Sequence, residues 1–208
     1  EKNYRYACEV FSKVPVKPGK KKRVGITGEI YMKYSKLGND DIESFLLRQG
    51  MEPYSGGFVN YCLYLVDTER YKAEKYQHNP IMVKACAFVL HRLCEAQKHL
   101  LTVIGETDRF QTDLPFPELK EKVQGILAEG CNTGDGWLIA AEVIQYVEKG
   151  CGSVLILHPF GCLVSHVCER GILQRLHARF PDVSIQTIEY DYDQSKTLRE
   201  SRILLGIS

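Results

Sequence analysis

Hydrophobic positions fall into short apolar runs separated by longer stretches of helical spacing, the pattern of strands joined by crossover helices. Val24-Gly25-Ile26 predicts a short buried strand. Asn39-Asp40-Asp41 is a capping cluster that opens an amphipathic helix through Phe45, Leu46 and Leu47, ending at Gly50, and Met51 to Tyr54 predicts a second strand. From Ile81, the residues Met82, Ala85, Cys86, Val89, Leu90, Leu93 and Leu100/Leu101 recur at three-and-four spacing, which predicts one buried face of a long helix. After the Leu114-Pro115-Phe116-Pro117 break, helices are expected from Glu118 to about Glu129 and from Gly134-Asp135-Gly136 to Gly150. Val154-Leu155-Ile156-Leu157 is an uninterrupted apolar run, the mark of a strand covered on both faces. A helix from about Ser165 to Phe180, a strand from Val183 to Ile188 and a last helix from Ser195 complete the pattern.

Strands alternating with helices imply an α/β fold with right-handed crossovers. The expected architecture is a doubly wound, mostly parallel four-stranded sheet, flavodoxin-like or Rossmann-like, with a helical insertion at about 60–130 between its halves. Residues 1–22 read as a lead-in, because Val14-Pro15-Val16-Lys17-Pro18-Gly19 cannot hold a helix and Lys20 to Arg23 reads as a solvated basic linker end. Residues 23–208 then form a single domain. The chain opens at Glu1 without a methionine, and this suggests a piece excised from a larger multidomain protein.

Composition narrows the function classes. The 208 residues can bury a core without metal or disulfide staples, and 44% hydrophobic with 25% charged residues is ordinary for a globular protein. A net charge of +1 gives no pull toward nucleic acid or anionic membrane. No apolar run approaches the roughly 20 residues of a membrane span, and no signal pattern opens the chain. A soluble, cytoplasmic protein is expected.

The oddity is eight cysteines, with no two closer than six residues and no C-x-x-C knuckle. That argues against a secreted disulfide framework and against a self-contained zinc or ferredoxin-type site, so most should pack as small buried hydrophobes in a reducing compartment. His91, Cys94 and His99 share a helix, but their spacing does not bring them onto one ligand face.

In an open parallel sheet, ligands bind beyond the carboxyl ends of the strands, where strand order reverses. For the common order two-one-three-four, that point lies between Thr27-Gly28-Glu29-Ile30-Tyr31 and His158-Pro159-Phe160-Gly161-Cys162. The helix start at Gly134, Asp135 and Gly136 belongs near the same rim with free N–H groups, and Tyr190-Asp191-Tyr192-Asp193 is delivered there by the fourth strand. Cys162 lies in a loop just before a helix, a position that favours a thiolate, with His158 and His166 near in sequence as a base or second ligand. On the residues alone, packing and chemistry both remain open for Cys162, whereas Cys168 falls on the helix and reads as core.

Val24-Gly25-Ile26-Thr27-Gly28-Glu29-Ile30-Tyr31, Gly134-Asp135-Gly136-Trp137-Leu138 and His158-Pro159-Phe160-Gly161-Cys162-Leu163 with His166 resemble three blocks of the 2-hydroxyacyl-CoA dehydratase and benzoyl-CoA reductase superfamily. The likeness is greatest to the C-terminal part of the large CoA-substrate-specific enzyme activases, also described as 2-hydroxyglutaryl-CoA dehydratase activators, and it runs from residue 23 to about 193. The resemblance implies iron–sulfur chemistry. In that superfamily, Rossmann-like domains hold a low-potential cluster through cysteines from different domains. A partner ATPase of actin-like fold drives an electron into the cluster, and the dehydratases use it to make a ketyl radical and expel a hydroxyl from an acyl-CoA.

Carried over residue by residue, the resemblance makes Cys162 a ligand of a 4Fe-4S type cluster, with Thr27, Gly28, Glu29, Gly134, Asp135, Gly136 and His166 lining the cluster or substrate crevice. His158, Val164 and Ser165 depart from the block, where glutamine and a Pro-Asn pair are expected. One cysteine cannot bind a cluster. The remaining ligands must come from other parts of the parent, or from Cys131 or another cysteine brought close by the fold, and the isolated fragment should bind little or no metal. The implied partners are the parent's actin-like ATPase domains and an acyl-CoA substrate, without nucleic acid or membrane. A non-catalytic docking module for those activase domains is the alternative. A nucleotide-binding domain has no G-x-G-x-x-G or Walker sequence behind it.

Overall fold

The computed structural model describes residues 2–16, 19–107 and 109–207. They divide into two compact units, one of residues 1–19 with 57–119 and one of residues 20–56 with 120–208. The 57–119 segment of the first unit overlaps the helical insertion expected at about 60–130.

The second unit holds the sheet. Strands β1 (Arg23–Gly28), β2 (Glu52–Ser55), β3 (Ser153–Pro159) and β4 (Ser184–Tyr190) are all parallel, in the order β2-β1-β3-β4. This is a doubly wound α/β sheet with the expected strand order. Side chains alternate across it. Val24, Ile26, Leu155, Leu157 and Ile188 face α3 (Ile42–Arg48) and α9 (Lys196–Ile207), forming a core with Ile42, Phe45, Leu46, Ile203 and Ile207. The other face carries α7 (Gly136–Glu148) and α8 (Arg170–Arg179). Gly25 is small because α7 presses there: a Cβ at Gly25 would lie 2.8 Å from Tyr146 Cδ2. The capping cluster works through Asn39, whose side chain accepts the Ile42 N–H at 3.3 Å and donates to the Met32 carbonyl at 2.8 Å.

In the first unit, α4 (Val59–Lys75) and α5 (Pro80–Gly105) pair along their length. Buried Gln97 ties the unit together, donating to Asn60 Oδ1 at 2.6 Å and accepting the Phe116 N–H at 2.9 Å at the start of α6 (Phe116–Lys122). Residues 2–12, expected as part of a lead-in, instead form helix α1 (Lys2–Ser12), whose Arg5 makes a forked ion pair with Glu106 at 3.0 and 2.6 Å.

Three further expectations change. The periodic face of α5 forms as a helix but stays open: Met82 is 45% and Val89 44% exposed, and the buried positions of the helix are Gln97 and Val103. Periodicity sets which residues share a face, and α4 covers only part of this one. The helix expected to run from Glu118 to Glu129 ends at Lys122, where the chain turns toward Gly125 at φ +80°. The helix expected from Ser165 starts with a π-helical turn, Ser165–Glu169, before α8.

All eight cysteines are free, but only Cys151 and Cys168 are buried and Cys62 is exposed, which corrects the expectation that most pack as core. Cys62, Cys86 and Cys94 sit on the incompletely covered helices α4 and α5. No described helix is long and apolar enough to cross a membrane.

Candidate functional site

The site is built at the carboxyl edge of β1 and β3, where the strand order reverses. Gly28 lets the two strand ends close on each other: its φ is +130°, and a Cβ there would lie 2.0 Å from the Leu157 carbonyl oxygen. The chain then turns, with Glu29 N–H donating to that oxygen at 2.8 Å. The Glu29 carboxylate caps the short helix α2 (Ile30–Tyr34) by accepting the Met32 N–H at 2.9 Å.

Thr27 points the other way, under α7. Its hydroxyl donates to Glu142 Oε2 at 2.5 Å, and the same carboxylate takes the Lys33 ammonium at 2.8 Å on both oxygens. Lys33 and Glu142 are both buried. Burial alone would weaken the Lys33 ammonium, but the Glu142 carboxylate, helped by Tyr146 and Tyr34, reverses that and holds the proton above the ordinary lysine range. The pair fastens the helix after β1 to the middle of α7.

The 131–136 loop meets the same edge. Gly134, at φ +57°, packs against Val164 of the Cys162 loop, and a Cβ there would sit 3.3 Å from the valine methyls. Asp135 lies beside Glu29 and accepts from the Ile30 backbone. Burial, then the Glu29 charge, pushes its carboxyl up to about 7. Glu169, on the π-helical turn, is fully buried, and among the described residues neither of its oxygens has a hydrogen-bond partner. Burial is the main cause that raises it to about 8; the Ser165 hydroxyl opposes this next most strongly, and the charges of Asp135 and Glu29 add to the rise.

Both acids hold a proton more tightly folded than unfolded. Between the ordinary carboxylate range and these raised values the folded chain binds more protons, so the contribution of these two groups to stability is full at low pH and is lost as pH rises from about 4 to about 8. Glu169→Gln is expected to flatten that decline and to raise stability above neutral pH relative to the parent, by an amount on the order of a few kcal/mol. Urea unfolding midpoints across the pH range check it, and an unchanged slope would show that Glu169 is not the titrating group.

Three thiols gather beside these acids. Cys168 is raised in pKa by burial first and then by contacts with Cys131 and Glu169, with Cys162 also within electrostatic reach. Cys162 Sγ accepts the Ser165 hydroxyl at 3.2 Å. The structure thus draws Gly28, Glu29, Gly134, Asp135 and Gly136 to one edge with Cys162, with Cys131 and Cys168 near it, whereas the Thr27 side chain turns away from this edge to Glu142 under α7. His166 turns elsewhere, toward His158 and Glu189. Tyr190 and Tyr192 line a different cavity of about 390 Å³ on the α3 and α9 face, with Asp40 and Arg199, where the Arg199 guanidinium lies 4.5 Å above the Tyr190 ring.

Lys33, Glu142, Glu169 and Glu189 were not singled out from the sequence. A usable signal existed for Glu142, the lone charged residue in the run from Trp137 to Val147, where Gln145 is the other strongly polar side chain. No protein-family model, curated protein or solved structure matches the chain.

Proposed function

We propose that this chain is a domain of an ATP-driven iron–sulfur reductase or 2-hydroxyacyl-CoA dehydratase-like protein, contributing Cys162 to a 4Fe-4S type cluster in a crevice at the carboxyl edge of the sheet. What supports the reading is the contact of the free thiols Cys131 and Cys168, with Cys162 within electrostatic reach, at the switch point of the sheet, beside glycines that let the loops approach closely. Thiolates are the soft donors such clusters take. Cys162 and Cys131 are half-buried and reachable, so they suit ligation; Cys168 is buried and suits a supporting place. A bound cluster would supply one-electron transfer at low potential.

The chain's own groups fit that setting. The Ser165 hydroxyl orients the Cys162 sulfur. Asp135 and Glu169, raised to about 7 and about 8, are partly protonated near neutral pH and can hold a proton at the crevice. The remaining ligands, the actin-like ATPase partner and the acyl-CoA belong to the parent protein in this proposal. Cys162→Ser in the full-length parent, purified anaerobically, is expected to lose most of its iron, acid-labile sulfide and visible absorbance. Full retention of all three would remove Cys162 as a ligand.

A second reading, a docking module for the activase domains, is favoured by one observation. The α4–α5 pair carries an open, mainly apolar groove of about 500 Å³ lined by Leu65, Val66, Met82, Ala85, Cys86 and Val89, with Glu69 as its one charged residue. Unchanged iron in the Cys162 variant would leave this reading as the stronger one.

A further inference from the structure

We propose a second metal site, independent of the thiols, in which His158, His166 and Glu189 bind one divalent first-row transition ion such as zinc. The three residues offer ligand atoms that all lie within 4.8 Å of one another. His166 Nε2 is 3.6 Å and His158 Nδ1 3.9 Å from the same oxygen, Glu189 Oε2. The rings meet edge to face with centroids 5.4 Å apart. Bonds of about 2.0–2.1 Å in a tetrahedral shell put neighbouring ligand atoms about 3.3 Å apart, so the two Glu189 contacts must close by about 0.3 and 0.6 Å and the remaining pair by at most about 1.5 Å, within reach of side-chain rotation.

Local contacts do not otherwise satisfy these rings. His158 is fully buried, and its contacts among the described residues are a 3.4 Å approach of Nδ1 to the Pro159 carbonyl and the Glu189 oxygen; its Nε2 is buried without a partner. His166 likewise keeps Nδ1 buried and unpartnered. These two unpartnered nitrogens are the ones turned away from Glu189 Oε2; the ion would take the other nitrogen of each ring, His158 Nδ1 and His166 Nε2, which face that oxygen. Arg170 donates to Glu189 Oε2 at 3.1 Å, which satisfies the carboxylate but neither imidazole.

The fold holds the three ligands on rigid supports. His158 and Glu189 are register partners on the adjacent strands β3 and β4, and His166 reaches down from the π-helical turn. His166 and Glu189 keep partial exposure, which gives an ion a way in. Two imidazoles and one carboxylate leave at least one coordination position for water or a substrate oxygen, the composition of open rather than purely structural sites. Arg170 is the outer contact that orients the carboxylate.

The test is a Co(II) titration of the chelator-treated, reduced chain, followed by displacement with Zn(II). One equivalent should bind with visible d–d bands, lack a thiolate-to-cobalt charge-transfer band and be displaced by zinc. His166→Ala and Glu189→Gln, both at partly exposed positions and checked for folding by circular dichroism, should each weaken binding at least about 100-fold, whereas Cys131→Ser and Cys162→Ser should leave it within about 2-fold. Absence of saturable binding, a thiolate charge-transfer band that vanishes in the cysteine variants, or unchanged affinity in folded His166→Ala and Glu189→Gln would each overturn the site. Iron content of the Cys162→Ser parent reports on the thiol cluster separately, so either proposal can fail alone.

Discussion

Gly28→Val is expected to leave the chain unable to form its sheet. A Cβ at this position meets the Leu157 oxygen at 2.0 Å, nitrogen at 2.4 Å and carbonyl carbon at 2.7 Å, all backbone atoms of the central strand β3. A flexible side chain could swing aside; a paired strand cannot. The positive φ adds strain that β-branched residues tolerate least. Even Gly28→Ala should cost more than about 3 kcal/mol, combining backbone strain with overpacking. Gly50→Ala is the matched control, since Gly50 also has a positive φ but a Cβ there meets nothing within 4 Å, so only the strain remains, about 1 kcal/mol. Urea unfolding of both variants checks the comparison. Equal losses would mean that the β1–β3 approach is looser than described.

Glu142→Ala is the second large expected loss. It strands the Lys33 ammonium, 5% exposed, and takes the acceptor from the Thr27 hydroxyl in the same step. Removing one partner of a buried ion pair typically costs about 3–5 kcal/mol, because the remaining charge has neither water nor a counter-ion. Lys33→Met should also destabilise, by leaving the carboxylate with the threonine alone. Combining Lys33→Met with Glu142→Leu should recover much of the loss, since the surroundings at Met32, Val143 and Tyr146 are apolar and buried. A double-mutant cycle from urea midpoints gives the coupling directly, and strictly additive losses would show that the two side chains do not act as a pair.

The parallel sheet was legible because apolar runs such as Val154 to Leu157 and their glycine boundaries leave few topologies once crossovers must be right-handed. The rule that loops at the carboxyl ends of parallel strands converge where strand order reverses placed Gly28–Glu29, Gly134–Gly136 and Cys162 at one edge, though it could not show that the Thr27 side chain turns under α7. Charges hid the rest. Lys33, Glu142 and Glu169 look like solvent-facing residues of helices, and only tertiary packing turns them inward. His158 lay next to the expected loop, yet its partner Glu189 sits on another strand and depends on the β3–β4 register, which a single sequence does not reveal. The α5 face erred in the opposite sense: its spacing was right, but spacing carries no information about what covers a face.

The strand order also bears on how the protein is made. The central neighbours β1 and β3 lie on either side of the whole 57–119 unit in the chain. A ribosome therefore releases β1 and β2 long before the strand that must lie between β1 and β4. Until β3 emerges, one edge of β1 carries unpaired N–H and C=O groups, a template for mispairing between nascent chains. The helical unit, built from local contacts, can form during that wait, so chaperone demand should centre on the interval before residue 153 is released rather than on the helices.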